Sequence, residues 1–212
     1  MLNEQSTPVL GLIGGIGSGK SHVAAELARH GGRIVSGDQA GHEALTRPEI
    51  REQVVRRFGA EVLNEREVDR KKLGRRVFAD PAERQALEAI VFPFIMTRLK
   101  EQIAAARQDR QVEFVVLDAA IMLEAGWNNV CDQIVYIHAP RAVRLQRLAQ
   151  NRGWTAPEVA AREQAQMPLT DKATRADAAI DNSGPPEAVA RQVPALLDRL
   201  GIRHRQNGPE LR

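Results

Sequence analysis

Short apolar runs alternate along the chain with longer segments whose apolar positions recur at helical spacing. Val9-Leu10-Gly11-Leu12-Ile13 has the unbroken apolar character of a buried strand. Comparable runs predict strands over 33–36, 114–118, 133–139 and near 178–181. After the first run, Val23, Ala24, Leu27 and Ala28 share one helical face, and a last helix over 186–200 uses Val189, Val193, Leu196 and Leu197. Strands separated by helices predict an α/β fold with a five-stranded parallel sheet covered on both faces.

Two stretches interrupt that alternation. The interval 40–111 is too long for one crossover helix. It carries one apolar helical cluster at Val54, Val55 and Phe58, and another at Leu87, Ile90, Val91, Phe94, Ile95 and Leu99. Pro93 lies inside the second cluster, where a kink or break is expected. The second excursion, 141–175, is polar and rich in arginine. Pro140 suits the start of a helix through Arg144 and Leu148, and Thr155-Ala156-Pro157-Glu158 has the spacing of a capping box. The expected organisation is thus a core of 1–39, 112–140 and 176–203, a helical insertion at 40–111 and a helical segment at 141–175. The polar tail 204–212 has no core-forming pattern and is expected to be disordered.

Directly after the first apolar run stands Gly14-Gly15-Ile16-Gly17-Ser18-Gly19-Lys20-Ser21, a match to G-x-x-x-x-G-K-[ST] in the strand-then-helix context that motif requires. Its backbone N–H groups, with the start of the next helix, can cradle anionic oxygens. Gly15, Ile16, Gly17, Ser18, Gly19, Lys20, Ser21 and His22 are therefore expected to hold a nucleoside triphosphate. Lys20 would reach the β- and γ-phosphates, and the Ser21 hydroxyl would ligate Mg²⁺. A glycine-rich turn beside a surface lysine is the alternative, and it leaves both the spacing and the flanking strand unexplained. If phosphoryl transfer follows, 141–175 reads as a water-excluding lid rather than a solvated helical pair, with Arg147, Arg152 and Arg162 as its phosphate-binding candidates.

Composition narrows the classes. At 212 residues, with 43% hydrophobic and 27% charged positions, the chain can bury a sizeable core as one globular protein. No apolar stretch is long enough to span a membrane, and residues 1–8 lack the pattern of a secretory signal. Cys131 is the single cysteine, so no internal disulfide can form and a reducing cytoplasm is expected. The net charge is only +3, and aromatic residues at 4% provide no stacking ladder, so a phosphate-rich small molecule explains the arginines better than nucleic acid. The chain has no Asn-Lys-x-Asp run to read guanine, and Phe114-Val115-Val116-Leu117-Asp118 ends in one acid where a motor ATPase usually has two. A small kinase remains. Asp38, following Ile34-Val35-Ser36-Gly37, stands where such an enzyme positions its acceptor; a helix-capping turn residue is the equal alternative.

The chain resembles the dephospho-coenzyme A kinases over almost all of residues 9–200. Their loop G-L-T-G-G-I-G-S-G-K-S is matched by Gly11-Leu12-Ile13-Gly14-Gly15-Ile16-Gly17-Ser18-Gly19-Lys20-Ser21, with one substitution. The family's D-A-D aligns with Ser36-Gly37-Asp38, keeping only the second acid. Arg57-Phe58-Gly59 and Asp69-Arg70-Lys71-Lys72-Leu73 resemble its acceptor-side helical domain. Leu87-Glu88-Ala89-Ile90-Val91-Phe92-Pro93 matches L-x-x-I-x-H-P with Phe92 for the histidine, and Asp118-Ala119-Ala120-Ile121-Met122-Leu123-Glu124 matches D-I-P-L-L-F-E with Ala120 for the proline. Most distinctive are Gln166-Met167-Pro168-Leu169, Lys172, Ala176-Asp177 and Ile180-Asp181-Asn182-Ser183-Gly184.

The resemblance implies a three-part kinase with an acceptor domain at 40–111 and a lid at 141–175. It implies transfer of the γ-phosphoryl group of ATP, with Mg²⁺, to the ribose 3′-hydroxyl of dephospho-coenzyme A, with Lys20 and Asp38 as catalytic residues. Arg147 and Arg152 are expected to contact phosphate, and Asn182, in the loop after the last strand, to lie at the nucleotide. Neither nucleic acid nor a membrane is an expected partner. A kinase of another small hydroxyl acceptor, and a catalytically silent ATP-binding module, are the alternatives.

Overall fold

A computed structural model of the chain describes residues 7–205. In chain order the elements begin with β1 (Val9–Gly14), α1 (Lys20–Arg29) and β2 (Gly32–Ser36). Then come α2 (Gly37–Thr46), α3 (Pro48–Phe58), β3 (Leu63–Asn64), β4 (Glu67–Val68), α4 (Arg70–Ala79) and α5 (Pro81–Gln108). The last third holds β5 (Phe114–Asp118), β6 (Gln133–His138), α6 (Arg141–Arg152), α7 (Ala156–Gln164), α8 (Leu169–Ala173), β7 (Ala178–Asp181) and α9 (Glu187–Arg199). The chain divides into two compact units, Gly37–Leu99 and the rest.

The larger unit contains a parallel sheet ordered β2-β5-β1-β6-β7, in agreement with the α/β expectation. Every residue of β1 is buried, as its unbroken apolar run requires. Leu10 and Leu12 pack with Phe114, Val116, Val135, Ile137 and Ile180 of neighbouring strands, and against Val23 and Leu27 of α1 and Val189, Val193 and Leu197 of α9. Val9, Ile13, Val115 and Leu117 alternate with that set and are equally buried, so both faces of the sheet are covered. The strand order reverses beside β1, and the crevice at the carboxyl ends of its strands is where α/β sheets bind ligands.

Aspartates pin the opposite ends of the strands. Asp132 accepts from Val9 N at 2.7 Å and Asp177 from Ile134 N at 2.7 Å, while the backbone N–H of each returns a bond to the same residue's carbonyl. The capping box at Thr155 is present, with Glu158 accepting from Thr155 N at 2.8 Å.

The smaller unit is helical, with Val54, Phe58, Leu73, Val91, Ile95 and Leu99 buried. Asp69 caps α4 by accepting from Lys71 N and Lys72 N. Glu43 accepts from Arg98 Nε at 2.9 Å and from Arg47, whose guanidinium also lies over the Phe94 ring. Partial desolvation works to raise its pKa, but these arginines prevail and hold it below the ordinary glutamate value.

Four sequence expectations change. The compact unit Gly37–Leu99 ends earlier than the 40–111 insertion, because the last turns of α5, with Ile103 and Ala106 buried, belong to the larger unit. Of the kink or break expected at Pro93, the break is absent: the buried face formed by Val91, Ile95 and Leu99 continues through the proline and offsets its missing hydrogen bond. The antiparallel pair β3 and β4 was not anticipated, since two-residue strands carry no periodicity. His204 and Arg205, assigned to a disordered tail, are ordered; Arg205 N donates to His30 O at 3.0 Å and its guanidinium to Gln111 O at 2.8 Å. The remainder of that tail, 206–212, lies outside the described residues.

Candidate active site

The loop between β1 and α1 is held in shape by donors on its carbonyls. Gly15 O accepts from Ser18 N at 3.0 Å, Ile16 O from Arg144 Nη1 at 3.0 Å, and Ser18 O from Asn182 Nδ2 at 2.8 Å. Gly19 O accepts from His22 N and Val23 N, opening α1. In a trans peptide the N–H points opposite to its carbonyl. The N–H groups of Ile16, Gly17, Gly19 and Lys20 are therefore turned away from those partners, as an anion-binding nest requires. Gly17 and Gly19 take φ of 78° and 87°, a region that excludes most side chains. A Cβ on Gly19 would also collide with Asn182 Nδ2.

Charged and hydroxyl groups surround this nest. Lys20 Nζ lies 3.5 Å from Gly14 O, at the weak end of the hydrogen-bond range. Ser21 Oγ donates to Asp118 Oδ2 at 2.8 Å, and Asp118 is in register with Leu12 and Ser36 at the strand ends. His22 makes a 3.3 Å contact with Pro186 O through its side chain. Arg147 Nη1 is buried beside the loop, 3.7 Å from the position of a Gly19 Cβ, with no hydrogen-bond partner among the described residues. Arg152 and Arg162 lie instead over Trp154, 5.1 and 4.0 Å from its ring centroid. Asp38 is exposed in the first turn of α2, two residues after β2 ends.

The signature residues that carried the resemblance act as fasteners within the larger unit. Lys172, only 1% exposed, pairs with Glu124 Oε1 at 2.9 Å and donates to Gln166 Oε1 at 3.2 Å. Met167 N donates to the same Glu124 oxygen at 2.9 Å. Asn182 spans from the end of β7 to the phosphate loop, so it supports the loop through Ser18 O. Lys172→Met removes the buried ammonium from Glu124 and Gln166 and is expected to destabilise the protein by about 1.5 kcal/mol, the lower end for a hydrogen bond to a charged group, because Glu124 keeps water and Met167 N as partners. Thermal or urea unfolding checks this, and an unchanged midpoint would make the pair dispensable.

Sequence reasoning missed two contributors. Asp118 stood in the sequence as a lone acid and as the first residue of a family segment but was given no site role, although an acid ending the strand beside β1 is the signal that could have placed it near Ser21. Arg144 was read as a helix residue, yet it is 3% exposed and lies against Gly15. It also donates to Glu163 Oε1 at 2.7 Å, and Arg141 donates to Glu163 Oε2 at 3.2 Å. Partial burial pushes the Glu163 carboxyl up, but the hydrogen bonds and charges of Arg144 and Arg141 outweigh it and hold the group below its ordinary value. The stability from this link is therefore full above the unfolded value, ~4.3, and is lost as pH falls through the lowered folded value. The melting temperatures of wild type and Glu163→Gln are expected to differ at neutral pH and to converge in acid; a constant gap would contradict the link. Cys131 is largely buried beside Met122, its thiol pushed up to about 12 by burial and then by Asp132, and it is inert as a nucleophile.

A nest at the carboxyl end of β1, a lysine across it and a hydroxyl–carboxylate pair beside it define a small-molecule kinase of the phosphate-loop class. The dephospho-CoA kinase family model matches residues 8–187. The chain is 40% identical over 211 residues to a dephospho-CoA kinase of Anaeromyxobacter dehalogenans, covering 96% of this chain and 99% of that one. A solved structure from Thermus thermophilus is 33% identical with a TM-score of 0.79, covering 92% and 99% of the two chains. The dephospho-CoA kinase of Campylobacter jejuni, at 21% identity, TM-score 0.65 and coverage of 91% and 96%, shares the fold. The chain belongs to the dephospho-CoA kinase family, and it is a phosphotransferase with an alcohol acceptor.

Proposed function

We propose that this chain transfers the γ-phosphoryl group of ATP to the ribose 3′-hydroxyl of dephospho-coenzyme A, giving coenzyme A and ADP. The observation that carries the reading is the junction of the family signature with the phosphate loop: Asn182 on Ser18 O, beside the unpartnered Arg147 Nη1. In the reaction the 3′-oxygen bonds to the γ-phosphorus as the bond to the β,γ-bridging oxygen breaks, and the hydroxyl proton leaves. The nest and Lys20 hold the β- and γ-oxygens and neutralise charge that develops on them. Asp38 orients the acceptor hydroxyl and takes its proton. Arg147, and Arg152 or Arg162 once released from Trp154, add donors as the 141–175 lid closes, while the helical unit Gly37–Leu99 supplies the acceptor side.

Mg²⁺ is part of the proposal. Ser21 Oγ and Asp118 Oδ2 form a hard oxygen pair beside the loop, the donor chemistry that this ion prefers. Ser21 would hold it directly, with Asp118 fixing the hydroxyl, and the ion would neutralise phosphate charge. A cytoplasmic location, with neither nucleic acid nor a membrane as a partner, is also part of the proposal. The single cysteine, which allows no internal disulfide, supports that location; no helix among the described residues is long and apolar enough to cross a membrane.

An acceptor panel tests the reading. ADP release should depend on dephospho-coenzyme A and on Mg²⁺, and be negligible with nucleosides, nucleotides or shikimate. Preference for one of those acceptors would overturn the assignment, and tight ATP binding without any product would make the chain a silent nucleotide-binding module.

A further inference from the structure

We propose that Arg144 is a positioning residue for the nucleotide, coupling the phosphate loop to α7 through Glu163; this rests on the kinase reading of the loop. Arg144 sits on α6 with its side chain 4% exposed, and its guanidinium is spent on neither solvent nor a core carboxylate alone. Nη1 is shared between Ile16 O at 3.0 Å and Glu163 Oε1 at 2.7 Å. The Ile16 bond fixes the Ile16–Gly17 peptide, and a trans peptide so fixed directs the Gly17 N–H to the opposite side, toward the nest. Gly15 leaves room for the guanidinium: a Cβ there would lie 2.9 Å from Nη1 and 3.0 Å from Cζ, so the end of the arginine side chain would have to shift.

The other end of the link is on α7. Glu163 is held from two sides, by Arg144 and by Arg141 Nε at 3.2 Å, so α6 and α7 meet at one carboxylate. Arg144 Nε is buried with no hydrogen-bond partner among the described residues, leaving this fork incompletely satisfied. Glu163 holds the guanidinium in place over Ile16 O, so a displacement of α7 that drew Glu163 away would loosen that bond and free the Gly17 peptide to turn. One guanidinium thus links α7 to the orientation of one nest N–H. Arg144 touches the loop's backbone and needs no contact with the phosphates.

The test is ADP affinity by calorimetry, without acceptor, on the full chain. Arg144→Met keeps an unbranched apolar stem against Gly15 and removes the donors; ADP binding should weaken about 10- to 100-fold, the range for one lost charge-assisted hydrogen bond. Arg144→Lys, with one point charge in place of a fork, should recover only part of it. Glu163→Gln should weaken ADP binding several-fold in the wild type and have no further effect in Arg144→Met, the non-additivity expected of one linked unit. A merely structural arginine would lower the melting temperature and leave ADP affinity and KM for ATP unchanged in the folded fraction. That result, or additive effects, would overturn the proposal. If Arg144→Met does not fold, unchanged ADP affinity in Glu163→Gln overturns it alone. Normal ADP affinity changes in an enzyme that ignores dephospho-coenzyme A would sink the acceptor assignment and leave Arg144 in place.

Discussion

Lys20→Ala is expected to lower kcat/KM for ATP by about 10³-fold, the upper end for deleting one preorganised electrostatic donor, because the group lost is a full charge. Lys20 opens α1 directly after Gly19, and its ammonium lies across the loop toward Gly14 O. That position follows from the backbone: Gly19 at φ 87° turns the chain into the helix. No neighbouring group can take over, since Arg147 approaches from α6 and Arg144 is committed to Ile16 and Glu163. Lys20→Arg should rescue little, because a planar fork does not replace a compact ammonium. Steady-state kinetics with varied ATP checks both, and near-normal turnover in Lys20→Ala would remove the residue from the mechanism.

Asp38→Asn separates two readings of one carboxylate. As the acceptor-orienting base, its loss should reduce kcat by about 10²- to 10⁴-fold with ADP affinity unchanged. As a first-turn acid on α2, its loss should cost only ~0.3–1 kcal/mol of stability through the helix dipole and leave the rate intact. Asp38 follows β2 by two residues, and β2 ends on Ser36, the register partner of Asp118. That chain position is the argument for the catalytic role. Kinetics paired with thermal unfolding distinguishes the outcomes, and an intact rate with a lowered melting temperature returns Asp38 to capping.

Much of the fold was legible because buried parallel strands have an unmistakable composition. The expected strand 114–118 is β5 itself, and 33–36 misses β2 only by Gly32, a residue that carries no hydrophobic signal. The capping box was legible because it is a local, four-residue interaction. Arg144 was not: an arginine at a helical position ordinarily faces water, and only the approach of α6 to Gly15 buries it. Asn182 was expected at the nucleotide for its place after β7; its bond to Ser18 O in the phosphate loop is a pairing across 164 residues that no local pattern encodes. Arg152 and Arg162 looked interchangeable with Arg147 in sequence, but Trp154 gathers both guanidinium groups by cation–π attraction. His204 and Arg205 carry no apolar pattern; Arg205 is ordered by backbone pairing with His30 and by its guanidinium on Gln111 O, and His204 sets its ring edge-on to His30.

The central claim is phosphorylation of one particular hydroxyl. Incubating the purified chain with Mg²⁺-ATP and dephospho-coenzyme A, and resolving products by mass and phosphorus NMR, tests it most directly. Coenzyme A carrying the new phosphate on the ribose 3′-oxygen, formed one for one with ADP, is the predicted result. ADP formed without that product, or a phosphate on any other oxygen, would contradict it.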